Sequence, residues 1–284
     1  MDPRVLDRLR CPVCGESLAE TTAGTARALR CPRGHSFDIA RQGYVNLLAG
    51  RAPHVGDSAE MVAARADFLA AGHYDLISAA LADAATRALS DVEAYPVVVD
   101  AGAGTGRYLG AVLAALPDAV GLALDVSKPA LRRAARAHPR AAAALADTWQ
   151  RLPLADASTA VLLNVFAPRN GPEFHRVLDP AGTLLVVTPD TDHLTQLVDA
   201  LDLLRVDPDK ADRVTGSLGG HFTLVSSAVH RAELALSRAE VATLVGMGPS
   251  AWHTDPDALA ARLAAVPEPA RVTVAVRLDV LRPR

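Results

Sequence analysis

Short apolar runs alternate with amphipathic stretches through the middle of the chain, a pattern typical of a parallel sheet covered by helices on both faces. Five apolar runs are predicted to be buried strands: Val97–Val99, Ala119–Leu124, Ala142–Ala146, Thr159–Phe166 and Thr183–Val187. The helices predicted between them are Tyr108–Leu116, Pro129–Ala137 and Pro172–Val177. The sequence therefore predicts an α/β fold with a doubly wound, Rossmann-like sheet.

The segments on either side of this region have different patterns. Two amphipathic helices are predicted before it, over Asp57–Ala71 and Tyr74–Leu89. After it, Phe222–Leu236 alternates like a pair of strands, Arg238–Val245 has a helical pattern, and Arg271–Leu281 alternates as an antiparallel strand does. We therefore expect an antiparallel strand at the C-terminal end of the sheet.

Composition narrows the class of protein. Half of the 284 residues are hydrophobic, which is enough to bury an α/β core and a small additional module. No apolar run approaches the length of about 18 residues that a transmembrane helix needs, and residues 1–9 have no secretory pattern. We expect a cytoplasmic protein with no membrane partner.

Charge is distributed unevenly along the chain. Residues 1–51 hold eight arginines and five acidic residues, a local charge of +3, so the total of −3 leaves −6 for the rest. Guanidinium groups suit bidentate phosphate contacts, but a coding bias toward alanine and arginine explains most of this composition. The basic N-terminal segment suggests a nucleic-acid partner without establishing one.

All three cysteines lie within the first 31 residues, and a histidine follows them. Cys11 and Cys14 form a Cys-x-x-Cys pair, and Cys31 and His35 form a second pair; a glycine adjoins each. Two such pairs on tight turns are typical of small modules that surround a tetrahedral zinc ion. Because four protein ligands fill the coordination shell, we expect one structural zinc ion rather than a catalytic one.

Disulfide and redox roles suit these cysteines less well than zinc binding does. A disulfide would leave one of the three cysteines unpaired, and nothing in the sequence indicates secretion. A redox Cys-x-x-Cys is expected near a βαβ pattern, and none is predicted beside Cys11. We therefore divide the chain into a zinc-ribbon-like module at residues 1–45, a linker with a helix at 46–72, and an α/β domain at 73–284.

A glycine-rich turn follows the first predicted strand of the sheet. Asp100 ends the strand, and Gly102, Gly104 and Gly106 occupy the turn. Glycines let the backbone approach a nucleotide where a Cβ would clash. The Gly-x-Gly-x-Gly spacing departs from the dinucleotide fingerprint, and the Gly-Lys-Ser/Thr of a triphosphate-binding loop is missing.

Acidic residues end the next two predicted strands. Asp125, 19 residues beyond Gly106, is placed to accept hydrogen bonds from a ribose diol, and Asp147 is placed to reach an adenine amino group. With the glycine turn, these acids look like the Asp-x-Gly-x-Gly-x-Gly pattern of class I S-adenosylmethionine-dependent methyltransferases. We favour that class over an NAD enzyme.

Further motifs extend the resemblance over nearly the whole chain. They are Gly43-Tyr44-Val45-Asn46, Gly56-Asp57-Ser58, Gly72-His73-Tyr74, Leu124-Asp125-Val126-Ser127-Lys128, Arg151-Leu152-Pro153-Leu154, Asn164-Val165-Phe166-Ala167-Pro168 and Ser250-Ala251-Trp252. With the zinc quartet, this series resembles the bacterial 23S rRNA guanine-N1 methyltransferases. The resemblance implies S-adenosylmethionine-dependent methylation of a guanine N1 in a 23S rRNA hairpin loop; a homodimer is left open.

The resemblance also implies a branch and particular residues. The form Asn164-Val-Phe-Ala-Pro-Arg-Asn170 is similar to the branch associated with resistance to tylosin-type macrolides. The zinc ligands carry over as Cys11, Cys14, Cys31 and His35. The cofactor contacts carry over as Tyr74, Tyr108, Leu109 and His193.

The acceptor pocket is expected at the end of the fourth predicted strand of the sheet, where amino-methyltransferases place their acceptor motif. We expect Asn164 to hydrogen-bond the guanine edge and Phe166 to stack on the base, with core packing as the alternative for Phe166. Trp252 is a second stacking candidate. The general base stays open among three acids: Asp147, Asp190 and Asp192.

The zinc module is expected to contact RNA phosphates through Arg10, Arg30, Arg33 and Arg41, unless these arginines only form a solvated surface. Two further functions stay open. One is a small-molecule methyltransferase whose zinc module serves stability or dimerisation. The second is a non-catalytic zinc-ribbon RNA-binding protein with a vestigial cofactor fold.

Overall fold

The computed structural model describes residues 1–23, 26–50, 54–90, 95–201, 216, 218–248 and 256–284. The helices are α1 Pro3–Leu6, α2 Ala59–Ala70, α3 Asp75–Ala88, α4 Arg107–Ala115, α5 Lys128–Ala134, α6 Gly171–Val177, α7 Thr195–Leu201, α8 Arg238–Gly246 and α9 Pro256–Ala265. The strands are β1 Ala19–Ala23, β2 Ala26–Arg30, β3 Ser36–Asp38, β4 Tyr44–Asn46, β5 Val97–Ala101, β6 Val120–Asp125, β7 Ala141–Leu145, β8 Thr159–Val165, β9 Leu178–Pro189, β10 Phe222–Leu236 and β11 Ala270–Pro283. Trp252 lies outside the described residues.

An eight-stranded sheet forms the centre of the molecule, in the order β10-β11-β9-β8-β5-β6-β7-β4. The six strands from β9 to β4 are mutually parallel, whereas β11 is antiparallel to β9 and β10 to β11. The strand order reverses beside β5, so the carboxyl ends of β5, β6 and β8 meet at the switch point where doubly wound sheets bind ligands. The predicted doubly wound sheet with an antiparallel C-terminal strand is confirmed.

One element differs from its prediction. Phe222–Leu236 is a single strand with a register shift between Leu224 and Ser226, and not a pair of strands. Its partner is β11, so the alternation that suggested a local hairpin instead reflects pairing with a distant segment of the chain. Sequence alternation reports a half-buried strand but not where that strand finds its neighbour.

Two apolar cores lie on the two faces of the sheet. The first core contains side chains from helices α3, α4 and α5, for example Leu81, Leu113 and Leu131. The second joins the N-terminal module to the sheet, since Leu9 and Leu29 are fully buried in the same cluster as the β5 and β6 side chains. The zinc module, residues 1–45, therefore covers part of one sheet face, which it shares with α6 through Phe174 and Val177.

Strand β4 ties this module to the sheet a second time. Tyr44 and Asn46 pair in parallel with Ala143 and Leu145 of β7, at the edge of the sheet. The sequence boundary at residue 45 therefore falls inside a strand of the main sheet. No helix among the described residues combines the length and apolarity needed to cross a bilayer.

Candidate functional site

The Cys/His quartet converges at one point of the N-terminal module. The ligand atoms of Cys11, Cys14, Cys31 and His35 all lie within 4.8 Å of one another. The Sγ atoms of Cys14 and Cys31 are 3.7 Å apart, and Nδ1 of His35 is 3.3 Å from Sγ of Cys31 and 3.6 Å from Sγ of Cys11. With Zn–S and Zn–N bonds of about 2.3 and 2.0 Å, the edges of a tetrahedron are about 3.5–3.8 Å long. The donor set and its spacing fit one structural zinc ion.

Two tight turns hold these ligands. The backbone N–H of Gly15 donates to Cys11 O at 2.8 Å, and that of Gly34 donates to Cys31 O at 3.0 Å. Both glycines have positive φ, 77° and 88°, which side chains with a Cβ rarely adopt. The glycine next to each ligand pair is therefore what lets the pair curl around a metal.

A cavity of about 680 Å³ opens at the carboxyl edge of β5, β6, β7 and β8. The glycine turn forms one wall, and residues 54–57, α2 and the end of α8 form the others. A Cβ on Gly102 would lie 2.4 Å from that of Ala167, and a Cβ on Gly106 would lie 2.8 Å from Cα of Ala134. The turn can pack this closely against its neighbours only without side chains, so the glycines shape the wall of the cavity.

Asp125 lines the cavity and supports the turn. Its carboxylate accepts N–H groups from Gly104 and Ser127, both at 2.8 Å. Burial raises the pKa of Asp125, although these two hydrogen bonds oppose the shift. A carboxylate has about four acceptor positions, so the two backbone bonds leave capacity for a ligand hydroxyl.

Asp147 also lines the cavity, just after the end of β7, the strand next to β6 with its Asp125. Its carboxylate accepts from Nδ1 of His54 and from the N–H of Trp149, each at 2.9 Å. Trp149 is 53% exposed at the rim, and its ring lies 6.2 Å from the His54 ring. The sequence analysis missed both residues; the only signal for Trp149 was its position two residues after an acid at a strand end.

Asp100 and Asn164 lie under the cavity rather than on its wall. Asp100 is 1% exposed, and neither of its carboxyl oxygens has a hydrogen-bond partner among the described residues. Burial, assisted by nearby Asp125, raises the pKa of Asp100 to about 8. Asn164 is fully buried and donates from Nδ2 to Ala101 O at 3.1 Å and to Pro168 O at 2.8 Å. Its Oδ1 has no partner in the described part of the chain.

Three aromatic rings meet at the cavity: Tyr74, Phe166 and His193. The Phe166 ring centroid is 6.3 Å from that of Tyr74 and 6.1 Å from that of His193. Phe166 is 40% exposed and has φ of 53°, a conformation that is strained for a residue with a Cβ. Such strain in a cavity wall is typical of a residue held in place for function.

Tyr74 and His193 also form a hydrogen-bonded pair. Nδ1 of His193 accepts the N–H of Ala275 at 3.2 Å, so the imidazole proton lies on Nε2 and points to Tyr74 Oη at 3.3 Å. Burial raises the pKa of Tyr74, which keeps the phenol protonated. The pair presents neutral groups to the cavity.

The remaining predicted cofactor residues divide into two cases. Tyr108 lines the cavity at the start of α4. The Leu109 side chain is fully buried in the first core, so only its backbone is available to a ligand. Arg65, which the sequence analysis missed, pairs with Asp57 and donates to Met247 O at 2.8 Å, and thereby joins α2 to two walls of the cavity.

The chain was compared with known proteins. A family model described as "RlmA, N-terminal" matches residues 9–52. A protein of Micromonospora griseorubida named for 23S rRNA (guanine-N1) methylation is 67% identical over the full length of both chains. The 23S rRNA (guanine(748)-N(1))-methyltransferase of Streptomyces fradiae is 51% identical over 100% of this chain and 99% of its own. A solved S-adenosylmethionine-dependent methyltransferase of Thiobacillus denitrificans has 17% identity and a TM-score of 0.46, over 73% of this chain and 90% of its own.

Proposed function

This chain belongs to the bacterial 23S rRNA (guanine-N1)-methyltransferases, which depend on S-adenosylmethionine, and on that premise we propose its target and biological role. We propose that the target guanine lies in an unpaired hairpin loop, at the position equivalent to 748 in the name of the Streptomyces fradiae relative. Methylation there would protect the ribosome of the host from tylosin-type macrolides. Guanine N1 is occupied in a base pair, so an unpaired or flipped-out base is required.

The cavity walls supply the cofactor contacts in this proposal. Bound S-adenosylmethionine supplies a methyl group that its sulfonium already activates. The unpartnered carboxyl of Asp100 fits a cationic ammonium group, which would give its buried oxygens the donors that they lack. Asp125 retains acceptor capacity for ribose hydroxyls, and the N–H groups at the start of α4 are free for a carboxylate.

The zinc ion has a supporting role in this proposal. Cys11, Cys14, Cys31 and His35 would hold it, and its binding would fix the knuckles that bury Leu9 and Leu29 against the sheet. Arg30 and Arg33 are exposed on the second knuckle and have no partner among the described residues, so they are available to RNA phosphates. Arg10 differs, because it donates to the carbonyls of Asp7 and Leu9.

Phe166 carries the proposal for the acceptor base. Its ring is exposed at the mouth of the cavity, beside two other rings, and a purine could stack on it. Asn164 is buried beneath it, so we assign Asn164 a positioning role rather than a direct contact with guanine. Its amide ties the glycine-turn strand at Ala101 to the loop at Pro168, and so fixes Phe166 relative to the cofactor.

Tyr74 and His193 are not suited to remove the proton from guanine N1. Tyr74 stays protonated, and His193 already accepts a backbone N–H at Nδ1. Burial alone would raise the pKa of Asp190, but hydrogen bonds from Arg277, Thr191 N–H and Arg231 lower it overall, so Asp190 is a weak proton acceptor. Asp147 and Asp192 remain the candidate general bases, and positioning of the guanine against the methyl donor supplies the rest of the catalysis.

The proposal is tested with protein-free 23S rRNA made by transcription. Wild-type protein with S-adenosylmethionine should produce a new primer-extension stop at the guanine equivalent to position 748, and no stop in a transcript with adenine there. A susceptible host that expresses the protein should then survive higher tylosin concentrations. No stop on the rRNA, together with methyl transfer to a small molecule, would reject the target and favour a small-molecule enzyme.

A variant separates positioning from cofactor binding. Asn164→Ala should lower the methylation rate about a hundredfold, because a misplaced acceptor loop costs that much, while the affinity for S-adenosylhomocysteine stays within a few-fold of wild type. Asn46→Ala, which removes an exposed amide on β4, should leave both quantities unchanged. A normal rate for Asn164→Ala would contradict the positioning role.

A further inference from the structure

We propose that the exposed basic face of α5 and of the turn after it, formed by Lys128, Arg132, Arg133 and Arg136, holds the phosphates of the RNA stem together with Arg41 of the zinc module while the hairpin loop enters the cavity. This inference rests on the proposed function, because it specifies how the RNA substrate lies on the enzyme. The RNA would thus contact two surfaces: the arginines of the zinc knuckles, and α5, which packs on β6 and β7 of the main sheet.

The sequence of this region has an unusual charge pattern. Between Asp125 and Asp147 the chain contains one lysine and four arginines but no acidic residue. Four of these five cations are exposed: Lys128, Arg132, Arg133 and Arg136. The fifth, Arg140, is instead used internally, where its guanidinium donates to backbone carbonyls around Leu116. A body that carries net negative charge thus has one concentrated positive face.

The exposed cations of α5 have no neutralising partner. Within the described part of the chain, no hydrogen bond or ion pair reaches the side chain of Lys128, Arg132, Arg133 or Arg136. The arginines near β10 and β11 are different, since Arg231 bonds to Asp190 and Asp192, and Arg277 bonds to Asp190. Arginines whose charge is neutralised by a neighbouring aspartate contribute little to phosphate binding, whereas the unpaired cations of the α5 face are available to bind phosphates.

The position of α5 connects the two predicted RNA-contacting regions. Its first turn follows Ser127, whose hydroxyl donates to Asp57 O in the cavity wall at 2.8 Å. At its other end, the turn that carries Arg41 packs on the helix, since a Cβ on Gly43 would lie 3.5 Å from that of Ala135. Helix α5 is seven residues, or about 10 Å, long, so its cations and Arg136 in the turn that follows extend over roughly three phosphates of one nucleic acid strand.

The face suits a nucleic acid backbone rather than a sequence-specific contact. Lys128 and Arg132 are four residues apart within α5 and so project from the same side of the helix, and Arg136 follows in the turn after it. Arginines in such a row neutralise phosphates and release counterions, which fixes the orientation of the RNA without reading its bases. The guanine would then be selected at Phe166, and the stem would be held along α5.

The test compares two double variants that each remove two positive charges. Arg132→Gln with Arg136→Gln removes charges from the proposed surface, and glutamine keeps the helix propensity. Arg87→Gln with Arg271→Gln is the control, because both cations are exposed, have no ion pair among the described residues, and lie away from α5, at the end of α3 and at the start of β11. Binding to the 23S rRNA fragment is measured between about 50 and 200 mM salt.

We expect the α5 variant to bind this RNA about tenfold more weakly at low salt, with a salt slope reduced by about 1.4–1.8, the value for two lost phosphate contacts. Its affinity for S-adenosylhomocysteine and its melting temperature should equal those of wild type. The control should match wild type in all four quantities. An α5 variant with the wild-type RNA affinity and slope would overturn the inference. Lack of rRNA methylation by the wild-type protein would instead count against the proposed function.

Discussion

The Cys/His quartet and the floor of the cavity are two places where the chain concentrates polar chemistry, and they are built in opposite ways. The quartet comes from 25 consecutive residues, Cys11 to His35, and three of the distances between its donors, 3.3–3.7 Å, are already close to those of a filled shell. The floor of the cavity is drawn from β5 and β8, and leaves oxygens of Asp100 and Asn164 without partners among the described residues. The first site closes on itself, and the second is incomplete without a ligand.

This difference separates a site that stabilises the fold from one that costs stability. Unpartnered buried oxygens are unfavourable, and their persistence in a cavity is typical of a binding site. A saturated metal shell has no such cost and no open position for chemistry. Loss of the quartet should therefore damage the whole structure, whereas changes at the cavity floor should damage cofactor binding or methylation and leave the fold intact.

The largest effect is expected from Cys31→Ala. Structural zinc contributes about 10–16 kcal/mol in small zinc modules, which is comparable with or larger than the total stability of about 5–15 kcal/mol of a typical domain. Because the zinc module shares the second core with the sheet, we expect no cooperative melt of the variant by circular dichroism. Val13→Ala, an exposed change in the first knuckle of the same module, should melt like wild type. A metal-free variant with an unchanged melt would show that the sheet folds without the module.

A smaller effect is expected from Asp100→Asn. Loss of a hydrogen bond to a charged group of the cofactor should weaken binding of S-adenosylhomocysteine by about 1.5–3 kcal/mol, or roughly 10- to 150-fold. The same change should increase the folding stability of the cofactor-free protein. The folded wild type keeps a proton on Asp100 that the unfolded chain releases, so stability falls as pH rises from 3.8 to about 8.

Asp100→Asn cannot release this proton, so its stability relative to wild type should increase across that pH range. Calorimetric titration measures the affinity, and melts at several pH values measure the stability. Identical pH dependence in the two proteins would mean that Asp100 is ionised in the folded state.

The smallest effect is expected from the backbone of Phe166. Phe166→Ala and Phe166→Gly both remove the ring and should both reduce methylation of the rRNA. Since φ is 53° at this position, glycine relieves strain that alanine retains, so the glycine variant should be more stable by about 1 kcal/mol, or about 2 °C in melting temperature. Equal melting temperatures would contradict a strained backbone at the cavity mouth.

Local patterns in the sequence were sufficient for the first site and for most of the sheet. The spacing of Cys11, Cys14, Cys31 and His35 predicted the cluster because metal ligands in small modules are close along the chain. Five of the six parallel strands were also predicted, because strands buried on both faces leave continuous apolar runs; the short strand β4 was not. The end of each strand then placed Asp100, Asp125 and Asp147 at one edge of the sheet.

Contacts between distant segments could not be predicted in the same way. The partner of β10 is set by packing some 50 residues later along the chain, which alternation alone does not encode. Arg65 and His54 reach the cavity from a segment that the sequence divided off as a linker. The burial of Asn164 was also missed, since a motif indicates that a residue matters but not whether it contacts the substrate or supports a neighbour that does.

Strand β4 limits where the chain can be divided. Its three residues protect the outer edge of β7, and exposed strand edges are sites of aggregation. A hybrid enzyme that exchanges the N-terminal module between relatives at the last zinc ligand would combine a β4 from one protein with zinc knuckles from the other. A junction placed after Leu48 keeps the knuckles, the apolar cover and the edge strand together, and is the more suitable crossover point for recombining specificity within the family.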